Sequence, residues 1–387
     1  MITLYPKAVV LTNSHPYGGT EMMARSLASA LLANGYAATI VNMNDAELNR
    51  HVPVLLDPAL ALVITTGTVP LSLELNGVPL WRAVPAQTDF ITYIIDAWPY
   101  DYVRVPPLRS FLEDWKTQPN LHMAGLEYND ACLIGARAHY MPTGAYSAPA
   151  PRGPRESPDR LMIWASANKE LSVTAIHDGF EETLAGNNHW GLEPDRIRTI
   201  AEALRYTNVV HGLSAMAAAF GLTLAELVQP DALVALCALD SCLKRYRRVK
   251  VAKALRGLPV DIYGENWEQH VGDCSSFRFF KPVPDHNHAF SHVVQHYAGL
   301  VNFDPNFGHG TNERIVSALA MGVPAANNFN VRTDAAVGCF PYHFSDASIR
   351  HAAEQVLAYR GPVPVDARHT WEYLVRDLLG GIARARA

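Results

Sequence analysis

Between Gly299 and Asn328 the chain reads GLVNFDPNFGHGTNERIVSALAMGVPAANN, and the residue types there suit the binding of an anion. Gly299–Phe303 is an apolar run of strand length, followed by a loop, Asp304–Gly310, that carries Pro305, Gly308, His309 and Gly310. Thr311 is placed to cap a helix with Ile315, Val316, Ala318 and Leu319 on its apolar side. Gly322 and Pro324 stop that helix before a new strand near Ala325. Strand, glycine loop, helix and strand, in that order, leave unpaired N–H groups at the helix N-terminus, where a phosphate is readily held. Glu313 and Arg314 fall in the first turn. A guanidinium suits phosphate and a carboxylate accepts from sugar or ribose hydroxyls. The bland alternative is an ordinary βα turn with a surface ion pair, and Gly-His-Gly by itself does not decide between them.

The elements that would position such a site come in two halves. Lys7–Leu11 is a strand, and the loop TNSHPYGGTE after it contains His15, Gly18, Gly19 and Glu21. Thr20 is placed to cap a helix running to about Asn34, with Met22, Met23, Leu27, Ala30 and Leu31 on one face, and Ala37–Val41 follows as a strand. Further strands are expected at Ala61–Thr66, Phe90–Ala97 and His139–Met141. Asp96 ends one of them, at the end where open parallel sheets hold ligands. Residues 142–160, PTGAYSAPAPRGPRESPDR, hold five prolines and two glycines without apolar periodicity and read as a linker. Leu161–Ala165 then opens a second half, and the loop SANKE carries Lys169. Residues 171–256 read as mostly helical. Strands resume at Val260–Tyr263, Phe277–Phe280, Gly299–Phe303 and Ala325–Asn327, and the tail from Ser345 is helical.

At 387 residues the chain exceeds one typical core and predicts two domains. Hydrophobic residues make up 49% and charged ones 18%, a globular balance. A net charge of −5 gives no general attraction to nucleic acid or anionic membrane. Five scattered cysteines without a CxxC pair point to a reducing compartment, without disulfides or structural zinc. The start, MITLYPKAVVLTN, lacks a signal-peptide layout and no apolar run reaches spanning length, so a cytoplasmic protein is expected, with at most peripheral membrane contact. His288, His292 and His296 stand at metal-ligand spacing on one helix face, but Phe290, Val293, Val294 and Tyr297 take the packing face and no carboxylate or cysteine matches. Solvent-facing histidines and no metal are expected. The basic run LKRYRRVKVAKALR (243–256) repeats apolar residues at three-residue steps and reads as an amphipathic helix with a solvated basic face. One of its arginines is in a position to reach a phosphate.

The stretch NSHPYGGTEMMARSLASALLANG (13–35) resembles the opening of GT-B glycosyltransferases, with a strand, a Gly-Gly loop, a following Glu and a helix. ERIVSALAMGVP is similar to the pattern closing the second half of that fold, and VDIYGENW (260–267) to the strand and glycine loop preceding it in the CgeB-like branch. PTGAY (142–146) stands where that branch has an interdomain Pro-x-Gly turn. These pieces cover about half of the chain in the family's order. There is one departure. Many retaining members carry two glutamates eight residues apart here, and the matching positions are His309 and Ser317. The usual ribose-holding carboxylate is thus displaced, with Glu313 as the substitute.

The resemblance implies an α/β chain of GT-B type, two Rossmann-like domains facing across a cleft. Residues 1–150 would form the acceptor domain, 151–345 the nucleotide-sugar domain with a helical insertion, and 346–387 the C-terminal helices, packing back on the first domain. It implies a glycosyltransferase of polysaccharide biosynthesis, with a nucleotide-sugar co-substrate, no cofactor and a glycan, lipid or other hydroxyl acceptor; because neither half offers a DxD-type carboxylate pair beside a donor loop, metal independence is expected, and the charge balance predicts no nucleic-acid partner. Donor contacts fall to Lys169, Gly264, Gly308, His309, Gly310, Thr311, Asn312, Glu313 and Arg314. Gly18, Gly19 and Glu21 form the acceptor-side loop, and the base is sought in the order Asp96, His15, Glu127. Two other classes fit the same residues. One is a sugar-nucleotide epimerase of this fold, which needs no acceptor. The other is an inactive module that binds glycan or protein.

Overall fold

The computed structural model describes residues 5–14, 19–45, 48–95, 105–125, 138–146, 156–167, 246–272, 274–281, 286–303, 313–328 and 332–386, with isolated residues besides. Its strands in chain order are β1 (Lys7–Thr12), β2 (Ala37–Asn42), β3 (Leu60–Thr66), β4 (Glu74–Leu75), β5 (Val78–Pro79), β6 (Asp89–Ile94), β7 (Leu121–Gly125) and β8 (Ala138–Tyr140). They continue with β9 (Ser157–Trp164), β10 (Val260–Tyr263), β11 (Phe277–Phe280), β12 (Tyr297–Val301), β13 (Ala325–Asn328) and β14 (Cys339–Tyr342). Twelve of them form two six-stranded sheets, β2-β1-β3-β6-β7-β8 and β11-β10-β9-β12-β13-β14, in which every pairing is parallel. The fold is therefore α/β with two Rossmann-like sheets. The short β4–β5 hairpin turns on Asn76-Gly77, both at positive φ (55° and 77°), the conformation that Asn-Gly supplies cheaply.

The first compact unit comprises residues 1–144, 285–288 and 367–387. Its sheet buries apolar strands such as Ala8–Leu11 and Leu62–Ile64, as central parallel strands require. β7 was not expected from the sequence, because His122 interrupts its apolar run. The structure buries that imidazole completely and pairs its Nε2 with Asp89 Oδ1 at 2.9 Å. The helix Pro106–Thr117, also unforeseen, begins on two prolines and seats Leu108, Phe111 and Trp115. Thr20 is no cap. It lies inside the helix Gly19–Ala33, and its Oγ1 donates to the Asn13 carbonyl at 2.6 Å. The last helix, Trp371–Arg386, packs on that first helix, with Asn34 Nδ2 donating to Glu372 O at 3.2 Å. Trp371 meets Tyr93 edge-on and covers Gly144, where a Cβ would stand 2.6 Å from its ring. Only glycine fits there.

The second unit comprises residues 145–284 and 289–366. Alternate strand residues feed two cores: Leu161, Ile163, Val260 and Ile262 on one face, Met162, Trp164 and Leu300 on the other. Two expectations are corrected. Residues 142–160 are not simply a linker: Pro142–Gly144 and Tyr146 are buried, and Ser157–Arg160 already belong to β9. The basic helix, seen over 246–254, does not keep its charges in water. Arg247 is fully buried with its guanidinium 4.7 Å from the Phe344 ring centre, and Lys250 pairs with Asp346 at 3.2 Å. Cation–π attraction and the ion pair offset the desolvation that a buried charge otherwise suffers. The histidine helix ends at Val293 and continues as a 3-10 turn, Val294–His296, so the i, i+4, i+8 face is not maintained. His292 is exposed, His296 is half-buried, and the His288 side chain lies outside the described residues.

Toward the amino ends of this sheet, Asp261 is wholly buried and accepts from Arg160 Nε at 2.6 Å, from Arg278 Nε at 2.7 Å and from Tyr297 OH at 2.8 Å. Burial pushes the Asp261 carboxyl up, but these donors outweigh it and hold the group below the usual carboxylate range. The network ties β9, β10, β11 and β12 together at the edge away from the candidate site.

Candidate functional site

The order β11-β10-β9-β12-β13-β14 is the order 3-2-1-4-5-6 within the second half. From β9 the chain builds outward to one side, then returns to the other side through β12. In such sheets the crevice at the carboxyl ends of the two central strands is the ligand-binding place. Here those ends are Trp164–Ala167 after β9 and Asn302–Phe303 after β12.

Charged groups are grouped at that edge. Arg314, in the first turn of the helix Glu313–Ala320, is half-buried, not exposed as its helix-start position suggests, and its Nη1 donates to the Trp164 carbonyl. Arg248 Nη1 donates to the Ser166 carbonyl at 3.1 Å, and its guanidinium lies 5.8 Å from the Phe303 ring centre. Two guanidiniums thus converge on the end of β9, with Arg247 buried against Phe344 on the same basic helix.

Gly264 shapes the same edge rather than contributing a free amide. At φ +156° its Cα packs on the backbone after β9, and a Cβ would stand 2.1 Å from Ala165 O. Its N–H donates to Phe280 O at 2.9 Å. Around it, Ala167 N donates to Glu265 O at 2.8 Å and Trp267 Nε1 to Ala165 O at 2.6 Å, fixing the loop that carries Ser166.

Beside β12 lies a polar cluster that sequence reasoning missed. Asn302 Nδ2 donates to Asn327 Oδ1 at 2.9 Å, and Tyr342 OH to Asn302 O at 2.7 Å. The loop after β13 is closed on itself: Asn330 N donates to Asp334 Oδ1 at 2.9 Å, and Arg332 N to Asn330 Oδ1 at 3.0 Å. Asn302, Asn327, Asn328, Asn330 and Thr333 are all buried. Burial pushes the Asp334 carboxyl up to about 6. The available signal was the run NNFN (327–330), which begins within β13, since buried asparagines survive only where partners satisfy them.

In the first unit the corresponding crevice lies between β1 and β3, where Thr66 Oγ1 donates to Thr12 Oγ1 at 2.8 Å in a buried contact. Gly19 opens the helix there, and Glu21 sits half-buried in its first turn with Thr20 Oγ1 3.1 Å from its Oε2. His15, Gly18, Asp96, Glu127, Lys169, Gly308, His309, Gly310, Thr311 and Asn312 lie outside the described residues. Among the described residues, no group of three or more His, Cys, Asp or Glu side chains is arranged to hold a metal ion. No described helix is long and apolar enough to cross a membrane.

Two Rossmann-like sheets in succession, with the last helix in the same compact unit as the first of them, are the α/β arrangement that the resemblance to GT-B chains implies. No family model matches the sequence, and no curated protein matches it. Solved structures similar to it include an alpha-glucosyltransferase in complex with UDP and a 13-mer DNA containing a HMU base, at 10% identity, covering 97% of this chain and 99% of that one, with a TM-score of 0.49. The glycosyltransferase VinC in complex with dTDP matches at 11% identity over 97% of this chain and 95% of that one, with a TM-score of 0.32. The spinosyn rhamnosyltransferase SpnG matches at 11% identity over 97% and 96%, with a TM-score of 0.34. Likenesses this distant add nothing to the topology already described.

Proposed function

We propose that the protein is a glycosyltransferase that draws its sugar from a nucleotide-sugar held by the second unit and moves it to a hydroxyl acceptor. The observation that carries this reading is the grouping of Arg248 and Arg314 at the carboxyl end of β9, where the strand order reverses. Positive groups at a switch point suit a diphosphate, and a glycine loop leading to a helix start, as the sequence has at 304–313, adds backbone donors.

The reaction must stabilise a leaving nucleoside diphosphate while positive charge develops on the sugar. Preorganised guanidiniums do the first electrostatically and need no reorganisation as the bond breaks. Glu313 is assigned to a donor hydroxyl. Deprotonation of the acceptor is assigned to Asp96, ahead of His15 and Glu127, because Asp96 follows strand β6 at its carboxyl end. Lys169 and the Gly308–Asn312 loop complete the donor contacts in this reading. No metal is assigned, since the arginines supply the positive charge.

The test is release of nucleoside diphosphate from UDP- and dTDP-sugars with a panel of hydroxyl acceptors, with and without EDTA. Acceptor-dependent release that survives EDTA is expected. Conversion of a nucleotide-sugar without acceptor would favour an epimerase. Loss of activity on chelation, restored by Mg²⁺ or Mn²⁺, would overturn the assignment of charge to arginine.

A further inference from the structure

The polar cluster at the carboxyl ends of β12 and β13 has an internal order. Asn302 follows β12 directly, and its N–H continues the ladder by donating to Ala326 O at 2.8 Å. Leu300 of β12 and Ala325 of β13 pair across the sheet and lie in one core with Trp164 and with Ile315, Val316 and Leu319 of the helix Glu313–Ala320. Alternation along a strand puts Asn302 and Asn327 on that same face, the face of the helix that carries Arg314. Arg314 in turn reaches the carbonyl of Trp164. Asn302 and that guanidinium therefore stand at one end and on one face of the second sheet.

Neighbours fix how the Asn302 amide is turned. Asn327 Nδ2 donates to Thr333 Oγ1 at 3.4 Å, which leaves Asn327 Oδ1 toward β12, where it accepts from Asn302 Nδ2 at 2.9 Å. Thr333 is buried in a turn closed from both ends, by Asp334 N donating to Asn330 O at 3.0 Å and Asn330 N to Asp334 Oδ1 at 2.9 Å. With Nδ2 occupied, Asn302 presents Oδ1, and among the described residues no donor reaches that atom. A buried residue that keeps an unused acceptor needs a partner. At the end of a sheet where ligands bind, a ligand hydroxyl supplies one, and an amide oxygen accepts it without adding negative charge beside a diphosphate. We propose that Asn302 is a specificity-determining residue of the second unit, its Oδ1 accepting a hydroxyl of the nucleotide-sugar, and that Asn327 is the positioning residue that holds the amide in this orientation. The ligand here rests on the function proposed above.

The experiment is calorimetric titration of the full chain. UDP, dTDP and GDP are used alone and with glucose attached, beside inorganic pyrophosphate, which has the phosphates without the hydroxyls. Asn302→Ala is expected to weaken the tightest nucleotide-sugar by roughly three- to tenfold, the worth of one neutral hydrogen bond, and pyrophosphate by less than about twofold. Asn327→Leu keeps Asn302 but frees its amide. It is expected to weaken the same ligand by a similar factor, with no further loss in the double variant, and it judges the proposal alone if Asn302→Ala does not fold. A loss shared by the nucleoside diphosphate assigns the hydroxyl to the ribose, and a loss confined to the nucleotide-sugar assigns it to the transferred sugar; both support the proposal. Asn302→Ala binding like wild type overturns it and leaves the nucleotide reading standing. An equal loss for pyrophosphate also overturns it, because the whole pocket is then disturbed. If wild type binds none of the nucleotides, the nucleotide reading itself fails and the role of Asn302 falls with it.

Discussion

Replacing Arg314 with alanine removes two contacts of different kinds. The first is on view: Nη1 donates to the carbonyl of Trp164, the last residue of β9, so the side chain ties the start of a helix to the end of a central strand. The second is the proposed contact with donor phosphate. A hydrogen bond involving a charged group contributes about 1.5–3 kcal/mol. Stability should therefore fall by up to that amount, and nucleotide affinity by roughly ten- to a hundredfold. Lysine separates the effects. It keeps the charge, but a compact ammonium lacks the planar fork that serves a carbonyl and a phosphate together. Arg314→Lys should recover most of the stability and only part of the affinity. Calorimetric titration with UDP and dTDP, run beside urea unfolding, reads both quantities. If Arg314→Ala binds nucleotide like wild type and unfolds at the same urea concentration, neither contact has the worth assigned to it.

Gly264→Ala should destabilise the protein by about 2–4 kcal/mol in urea unfolding, combining positive-φ strain with loss of the Trp267 hydrogen bond to Ala165; a change below about 0.5 kcal/mol would refute the close approach. Asp261→Asn should cost about 3–5 kcal/mol, because it leaves Arg160 and Arg278 without their shared carboxylate. The same carboxyl, held below its ordinary value, contributes stability that is complete above about pH 4 and lost as pH falls through its folded value. His139 gives a separate window. Burial, with His122 beside it, lowers its pKa from 6.5 to about 4, so between these values the unfolded chain binds the extra proton and stability falls with falling pH. His139→Gln should flatten that slope in a pH series of thermal unfolding; an unchanged slope would count against the assignment.

The two sheets were legible because central parallel strands are near-continuous apolar runs, and ten of the runs read from the sequence fall on observed strands. β7 escaped because a single imidazole broke its pattern, and only its distant partner Asp89 makes burial tolerable. β14 escaped because Pro341 sits within it, which edge position in the sheet permits. The basic helix was legible as a helix, but not the burial of Arg247, which depends on Phe344 nearly a hundred residues later. At the site, helix periodicity located Glu313 and Arg314. The positions of Arg248 and the asparagine cluster depend on contacts between strand ends that are remote in sequence, and no local spacing encodes them. Glycine at 264 was legible as a loop residue, while the reason for it, the Ala165 carbonyl, is tertiary.

In the proposed function the second unit binds a nucleoside diphosphate at the ends of β9 and β12. A crystal structure of the full chain grown with UDP, or with dTDP if calorimetry favours it, tests this most directly. Diphosphate density is expected within hydrogen-bonding distance of Arg314 or Arg248, next to the start of the helix Glu313–Ala320. Diphosphate bound instead at the ends of β1 and β3, with the β9 edge empty, would contradict it.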